Sequence, residues 1–219
     1  MVAAWHIIRG MAAPRNDTRD KMIRSAARLF QRQGYLGTGL VQVVEECGAP
    51  RGSIYFHFRG GKEELGLEVI DLWEHGTVKL VHRCAEKAGN DPAAMVVLLA
   101  QSLADTMQRS GFVQGCPVST TALEMTPASD TLRVACDHLF VEWQGALRDH
   151  FAAAGLAEDR AASLASITVS ALEGALILTR TSLSTKPLEI VGQEMASLVS
   201  SSLPTPSSRK RRPRATAAA

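Results

Sequence analysis

Residues 48–58, GAPRGSIYFHF, place a guanidinium (Arg51), a hydroxyl (Ser53), a phenol (Tyr55) and an imidazole (His57) within two helical turns. In the same stretch Ile54 and Phe58 are one turn apart and share a helix face. Polar groups for phosphates and base edges on one side, with an apolar anchor on the other, are the make-up of a helix that meets DNA. Arg51 can donate two bonds to guanine O6 and N7, worth about 1–3 kcal/mol of discrimination. Gly52 lets the backbone come close. Lys62, opening the next helical pattern, joins a side-chain cation to free backbone N–H groups, a natural phosphate site. Plainer readings stand beside these: Tyr55 and Phe56 as core residues, Arg51 as a surface cation.

Three short helices must position this stretch. Asp17 and Thr18 are candidate N-caps, and Asp20 suits the positive end of a helix dipole. Ile23, Ala26, Ala27, Phe30 and Gln33 follow helical spacing, widened by Met22 and Leu29, until Gly34 stops the helix. Arg24, Arg28 and Arg32 form a row on another face, either a solvated face or a phosphate rail. Thr38 can cap a second helix through Leu40, Val43 and Val44, ending at Gly48. Pro50 sits where the third begins, a place that tolerates a missing N–H. Arg59-Gly60-Gly61 closes it, and Glu63 and Glu64 fall in the first turn of a long fourth helix.

At this point the chain resembles the TetR family of bacterial transcriptional regulators, strongly over residues 18–67. The resemblance rests on AARLFQRQGY (26–35), Thr38, VVEECGAPRGSIYFHF (43–58) and KEEL (62–65). A second piece, GCPVSTTALEM (115–125), looks like the LmrA/YxaF-type subgroup, and the extra glycine in HFRGGKEEL points the same way. The resemblance implies that Thr38 and Gln42 face the DNA backbone or groove edge. It places Arg51, Gly52, Ser53 and Tyr55 in the major groove, with His57 and Lys62 clamping phosphates. Val41 stands where many members carry a basic residue, and Gly39 replaces a usual hydroxyl residue. Both departures bear on which operator is read.

Beyond Lys62 the chain reads as helices throughout. The long helix ends near Gly89. Asp91-Pro92 is an N-cap with proline at N1, opening a helix to about residue 110. A break over 111–117 precedes a short helix at 118–125. Ser129 or Asp130 starts a helix to about 154, and two more follow at about 158–183 and 187–203. The expected fold is all-α: an N-terminal three-helix helix-turn-helix head plus a larger helical ligand-binding and dimerisation body. The divisions are a flexible extension at 1–16, the head at 17–64, the body at 65–204 and a disordered basic tail at 205–219.

Between Arg160 and Glu173 there is no charge, and small residues alternate with Leu164, Ile167, Val169 and Leu172. Such a helix is internal or buried between subunits. The resemblance implies the latter, a homodimer through the last two helices, reading a palindromic operator in double-stranded DNA. It also implies a ligand cavity in the body and a drug-like or flavonoid-like inducer. Material for such a cavity is present in Trp73, Leu103, Met107, Phe112, Met125, Phe140, Trp143 and Leu176, each of which could equally be plain core. Glu124, Gln144 and Arg180 are candidate polar anchors. A ligand preferring another head spacing would pull the dimer off DNA, giving repression relieved by ligand.

Other classes find little support. A net charge of +2 does not by itself announce nucleic acid, but basic residues gather in the head and at 209–214. No G-x-S-x-G, H-E-x-x-H or Gly-rich phosphate loop is present, so no catalytic residue and no cofactor is expected. Cys47, Cys84, Cys116 and Cys136 show no C-x-x-C pairing and read as reduced cytosolic thiols, with Cys116 either structural or a thiol sensor. Cys84 or Cys136 with His82 or His138 lacks the spacing for two ligands on one helix face, so no metal is expected. No apolar run reaches the ~18 residues that span a membrane, so a cytoplasmic protein is expected. The surviving alternative is a helical ligand-binding protein without specific DNA binding.

Overall fold

The structure, a computed structural model, describes residues 17–89 and 91–204. The expected extension and basic tail lie outside the described residues. Among the described residues there are nine helices and no strand. They are α1 (Asp17–Gln33), α2 (Leu40–Cys47), α3 (Ser53–His57), α4 (Gly61–Lys87), α5 (Pro92–Arg109), α6 (Pro117–Met125), α7 (Asp130–Ala153), α8 (Glu158–Ser182) and α9 (Lys186–Ser202).

The stops and caps follow local chemistry. Asp91 accepts from Ala93 N at 2.9 Å and Ala94 N at 3.2 Å, and Pro92 needs no donor. Ser129 caps α7 through Leu132 N at 3.1 Å. Gly48, at φ +71°, ends α2 with Ala49 N bonded to Val44 O at 3.1 Å and Gly48 N to Glu45 O at 3.3 Å. That paired closure needs a left-handed residue, which glycine adopts without strain.

Four expectations are corrected. Gly39, not Thr38, is the N-cap of α2, and the Thr38 hydroxyl is buried and donates to Gly34 O at 2.7 Å. Helix α3 begins at Ser53 rather than near Pro50. Both the N–H and the hydroxyl of Ser53 bond to Pro50 O, at 2.9 and 2.6 Å, making 50–53 a turn. The arginine row is not a bare face: Arg28 Nε and Arg32 reach the Glu46 carboxylate at 2.8 and 2.6 Å, tying α1 to α2. Finally, α8 is long and apolar enough to cross a membrane by length and composition. Its Ala, Ser and Thr residues dilute the charge without forming an unbroken apolar run. In the fold it packs on α7 and α9.

Two adjoining cores hold the molecule. Met22, Phe30, Ile54, Phe58 and Leu65 form the head's core, and Val118, Leu132 and Leu139 of α6 and α7 join it. Leu99, Leu147, Phe151, Leu164, Leu172 and Val199 centre the second. Each such fully buried Phe or Leu contributes roughly 1.5–3 kcal/mol. Helix α9 crosses α5 closely: a Cβ at Gly192 would lie 2.7 Å from Ala100 Cβ. Because the head's core runs into α6 and α7, head and body are packed together rather than merely strung on one chain.

A histidine pair sits on the side of the body. His82 Nδ1 lies 2.9 Å from His150 Nε2, with the rings edge to face. Burial, and then the neighbouring His82, hold His150 below its ordinary range, while Asp149 opposes. A folded pKa below the unfolded one gives stability present at neutral pH and lost as pH falls through the folded value. His138, raised by its hydrogen bond to Glu74, acts in the opposite sense. His82→Gln is therefore expected to lose less Tm than wild type between about pH 7 and pH 5. An unchanged difference in thermal melts would show that the pair does not couple to folding.

Candidate functional site

The head presents α3 as an exposed rib. Ile54 and Phe58 are buried at 2% and 0% exposure, fixing which way the helix faces. Tyr55 and Phe56, at 63% and 73%, therefore point out. Of the two readings open for these rings, exposure is the observed one for both. An exposed phenylalanine can meet a thymine methyl, a contact the sequence reading did not assign. Its signal was available: Phe56 lies between Tyr55 and His57, off the face set by Ile54 and Phe58.

Arg51 and Gly52 precede α3 in the exposed turn. The Arg51 guanidinium pairs with Glu45 Oε1 at 2.6 Å, and both side chains are largely exposed. Gln42 is exposed and oriented: its Oε1 accepts from Gly39 N at 2.8 Å and from Gln33 Nε2 at 3.1 Å. Ser53 and His57 are half-buried. Lys62 lies on α4 with Nζ 4.4 Å from the Tyr35 ring centroid and 3.4 Å from Leu36 O. Burial lowers its pKa, and Glu124 partly restores it. Thr38 is withdrawn from direct contact, because its buried hydroxyl is spent on Gly34 O.

The body holds a partly open cavity of about 400 Å³ between α4, α5, α7 and α8, reaching Gln31 of α1. Trp73, Leu103, Met107, Trp143 and Leu176 line it. Phe112, Met125 and Phe140 do not. Phe112, at φ +63° just after α5, packs on the body's core. Met125 packs on the head-side core, and Phe140 touches both. Helical spacing says that a residue points inward, not which of two adjoining cores it joins.

Polar groups missed in the sequence also sit in this wall. Glu173 Oε2 accepts from Ser119 Oγ at 2.6 Å. Burial pushes Glu173 above the usual carboxylate range, while hydrogen bonds from Ser119 and Cys116 pull it back. Burial, reinforced by Glu173, lifts the Cys116 thiol well above its ordinary value. A thiol kept protonated is a poor nucleophile, so Cys116 acts as the N-cap of α6, accepting from Ser119 N at 3.4 Å. The signal for Glu173 was its isolation, as the first charge after Arg160 on an otherwise uncharged stretch.

Glu124 and Arg180, expected as cavity anchors, instead join body to head. Glu124 Oε2 accepts from Leu36 N at 2.8 Å. Arg180 donates to Arg32 O at 2.8 Å and Gln31 O at 3.4 Å, the free carbonyls at the end of α1. Gly115 N also reaches Gln31 O, at 3.1 Å.

Residues 22–69 match the model for bacterial regulatory proteins of the tetR family, and residues 92–194 match that for the LmrA/YxaF-like transcriptional regulator C-terminal domain. The HTH-type transcriptional regulator LmrA of Bacillus subtilis is 35% identical over 172 residues, covering 78% of this chain and 91% of that protein. The chain belongs to the TetR family. A second B. subtilis regulator of this family, YxaF, is 33% identical over 185 residues, covering 84% and 96% of the two chains. In fold, a TetR regulatory protein from Rhodobacter sphaeroides superposes with TM-score 0.74 at 24% identity, covering 82% and 97%. A TetR regulator from Legionella pneumophila superposes at 0.75 and 19%, covering 86% and 99%. As a TetR-family member the chain is a transcriptional regulator with a DNA-binding domain, not an enzyme. Regulators of this family bind DNA operators and ligands, dimerise and are normally cytoplasmic.

Proposed function

We propose that this chain is a homodimeric repressor, released from a palindromic operator by a small, largely apolar or aromatic ligand. Residues 17–64 serve as the DNA-binding head and 65–204 as the ligand-binding and dimerisation body. Gln42, Arg51, Gly52, Ser53, Tyr55, His57 and Lys62 meet the DNA, and Thr38 holds the turn before α2. The cavity lined by Trp73, Leu103, Met107, Trp143 and Leu176 takes the ligand.

The observation that carries this reading is Gln31. It forms part of the cavity wall, and its carbonyl at the end of α1 is held by Gly115 and Arg180. A ligand that moves the wall therefore acts on the helix that carries the head. Dimerisation is supported by the second face of α8. Leu164, Thr168 and Leu172 are buried, whereas Ser166, Ile167, Ser170, Gly174, Ile177 and Leu178 are exposed, as is Ile190 of α9. Small and branched apolar residues on adjacent helices suit close helix packing across a two-fold axis.

The test is a fluorescence-anisotropy titration against DNA upstream of the protein's own gene, at about physiological salt with competitor DNA. One dimer per palindromic site and release by planar aromatic compounds are expected. Binding as a monomer would remove the dimer, and ligand-strengthened binding would replace release with corepression. Absence of specific binding would favour a helical ligand binder that does not read DNA.

A further inference from the structure

Helices α4 and α7 pack together in the body, and their seam carries a histidine pair that the proposed function does not use. His82 Nδ1 of α4 lies 2.9 Å from His150 Nε2 of α7, 68 residues further along the chain. Within α4, His82 and Cys84 lack the spacing for two ligands, so the fold supplies a partner that the sequence alone does not show. Val81, Cys84 and Ala85 beside His82, and Leu147 and Phe151 beside His150, are buried in the body's core, which fixes the distance between the two backbones. His82 is exposed and His150 half-buried, so the pair is open to solvent.

A separation of 2.9 Å is that of a hydrogen bond, and also that of two adjacent ligands on one metal ion. An imidazole nitrogen sits about 2.0–2.1 Å from its metal, which puts two ligands about 2.9 Å apart at a right angle and about 3.3 Å apart at the tetrahedral angle. The spacing here matches tetragonal copper(II) or nickel(II) better than tetrahedral zinc. Ligation needs two neutral imidazoles with both facing nitrogens unprotonated. Burial, and then His82, hold His150 below its ordinary range against the pull of Asp149, which favours the neutral ring. In the metal-free pair one facing nitrogen carries the hydrogen. On binding, that proton moves through water to the outward nitrogen of the same ring, so the pair releases no net proton.

Charge around the seam does not oppose a cation. Glu86, one turn on from His82, and Asp149, next to His150, offset Arg83 and Arg148. Arg148 is itself held by Asp149 at 2.8 Å and Glu158 at 3.4 Å. Among the described residues no group of three or more His, Cys, Asp and Glu is placed to hold a metal, so water completes the shell. His150 also lines a recess of about 200 Å³ at the start of α5, together with Asp91, which gives those waters room.

We infer that His82 and His150 form a two-histidine site for a divalent transition metal, copper(II) or nickel(II), bridging α4 to α7. Neither histidine lines the 400 Å³ cavity, so the site stands apart from the ligand and operator readings. A bound ion clamps the body end of α4, whose first turns belong to the head's core through Leu65 and Val69.

Calorimetric titration of the full chain, free of any purification tag, with nickel(II) and copper(II) salts tests it, together with electron paramagnetic resonance of the copper form. One ion per chain is expected, copper binding tighter than nickel or zinc. The copper spectrum should be tetragonal, with hyperfine coupling to two imidazole nitrogens. Free nickel at about 100-fold above its Kd should raise Tm by roughly 5–10 °C. His82→Gln and His150→Gln should each weaken binding at least about tenfold, since losing even an outer-shell partner costs that much. His75→Gln, which removes another exposed histidine of α4, should leave it unchanged. Metal-free melts establish that each variant folds, and the nitrogen count is read on wild type whether or not they do.

No uptake of either ion at about 1 mM overturns the inference. So does binding that survives both substitutions, which places the metal elsewhere, or binding lost in one variant alone, which leaves a single-histidine site. Zinc binding tighter than both other ions overturns the tetragonal geometry and the inference with it.

Discussion

Arg51→Ala is expected to weaken operator binding by roughly 30- to 1,000-fold while lowering affinity for random DNA far less. A bidentate arginine–guanine contact is worth about 1–3 kcal/mol. In the free protein Arg51 pairs with Glu45 at 2.6 Å, an exposed contact that must be given up on docking. Such surface pairs are worth about 0–1 kcal/mol, so the net stake is about 1–2 kcal/mol per subunit. A two-fold dimer doubles it to about 2–4 kcal/mol, which gives the stated range. Glu45→Gln should act in the opposite direction, tightening binding by releasing the guanidinium and removing an acid near phosphates. Anisotropy titrations with operator and scrambled duplex measure both. Equal losses on the two duplexes would make Arg51 a phosphate contact. Specificity would then rest on other exposed groups of α3, Tyr55 and Phe56 first.

Much of this interface was legible because its determinants are local. Ile54 and Phe58 set the inward face of α3 by spacing alone, and Gly34, Gly48 and Asp91-Pro92 mark helix ends by backbone chemistry. What was not legible depends on residues distant in sequence. Arg28 and Arg32 read as a solvated row or a phosphate rail until Glu46 lies between them. Thr38 reads as a cap, but the turn before α2 buries it and leaves the cap to Gly39. The cavity was half visible for a similar reason. Trp73, Leu103, Met107, Trp143 and Leu176 converge on it, whereas Phe112, Met125 and Phe140 obey the same periodicity and fill neighbouring cores. Glu173 escaped because a single acid on an apolar helix does not say whether it faces solvent, a partner or a cavity. Glu124 and Arg180 were singled out as polar residues near the cavity, yet only the fold shows that they grip the head.

Arg180 gives the second large effect, on coupling rather than on binding. Glu173, Leu176 and Arg180 fall on one face of α8, with Arg180 two turns beyond Glu173, about 10 Å along the axis. The first two line the cavity, and the third holds the C-terminal carbonyls of α1. A shift of α8 on ligand binding thus reaches α1 through a guanidinium on two carbonyls, at the negative end of the helix dipole. Arg180→Ala removes this link and leaves the cavity wall in place. Ligand affinity in the absence of DNA should stay near wild type, while ligand-driven loss of operator affinity should shrink by about 1–2 kcal/mol, or roughly 5- to 30-fold. Arg180→Lys, which keeps a cation but not the two-pronged contact, should recover part of it. Linkage supplies an independent check. In wild type, operator DNA must weaken ligand binding by the same factor that ligand weakens operator binding, and Arg180→Ala must reduce both factors together. Coupling that survives the substitution would move the relay to Gly115 on Gln31, or to Glu124 on Leu36. In that case Glu124→Gln, which weakens the bond to Leu36 N, should uncouple ligand from operator where Arg180→Ala does not.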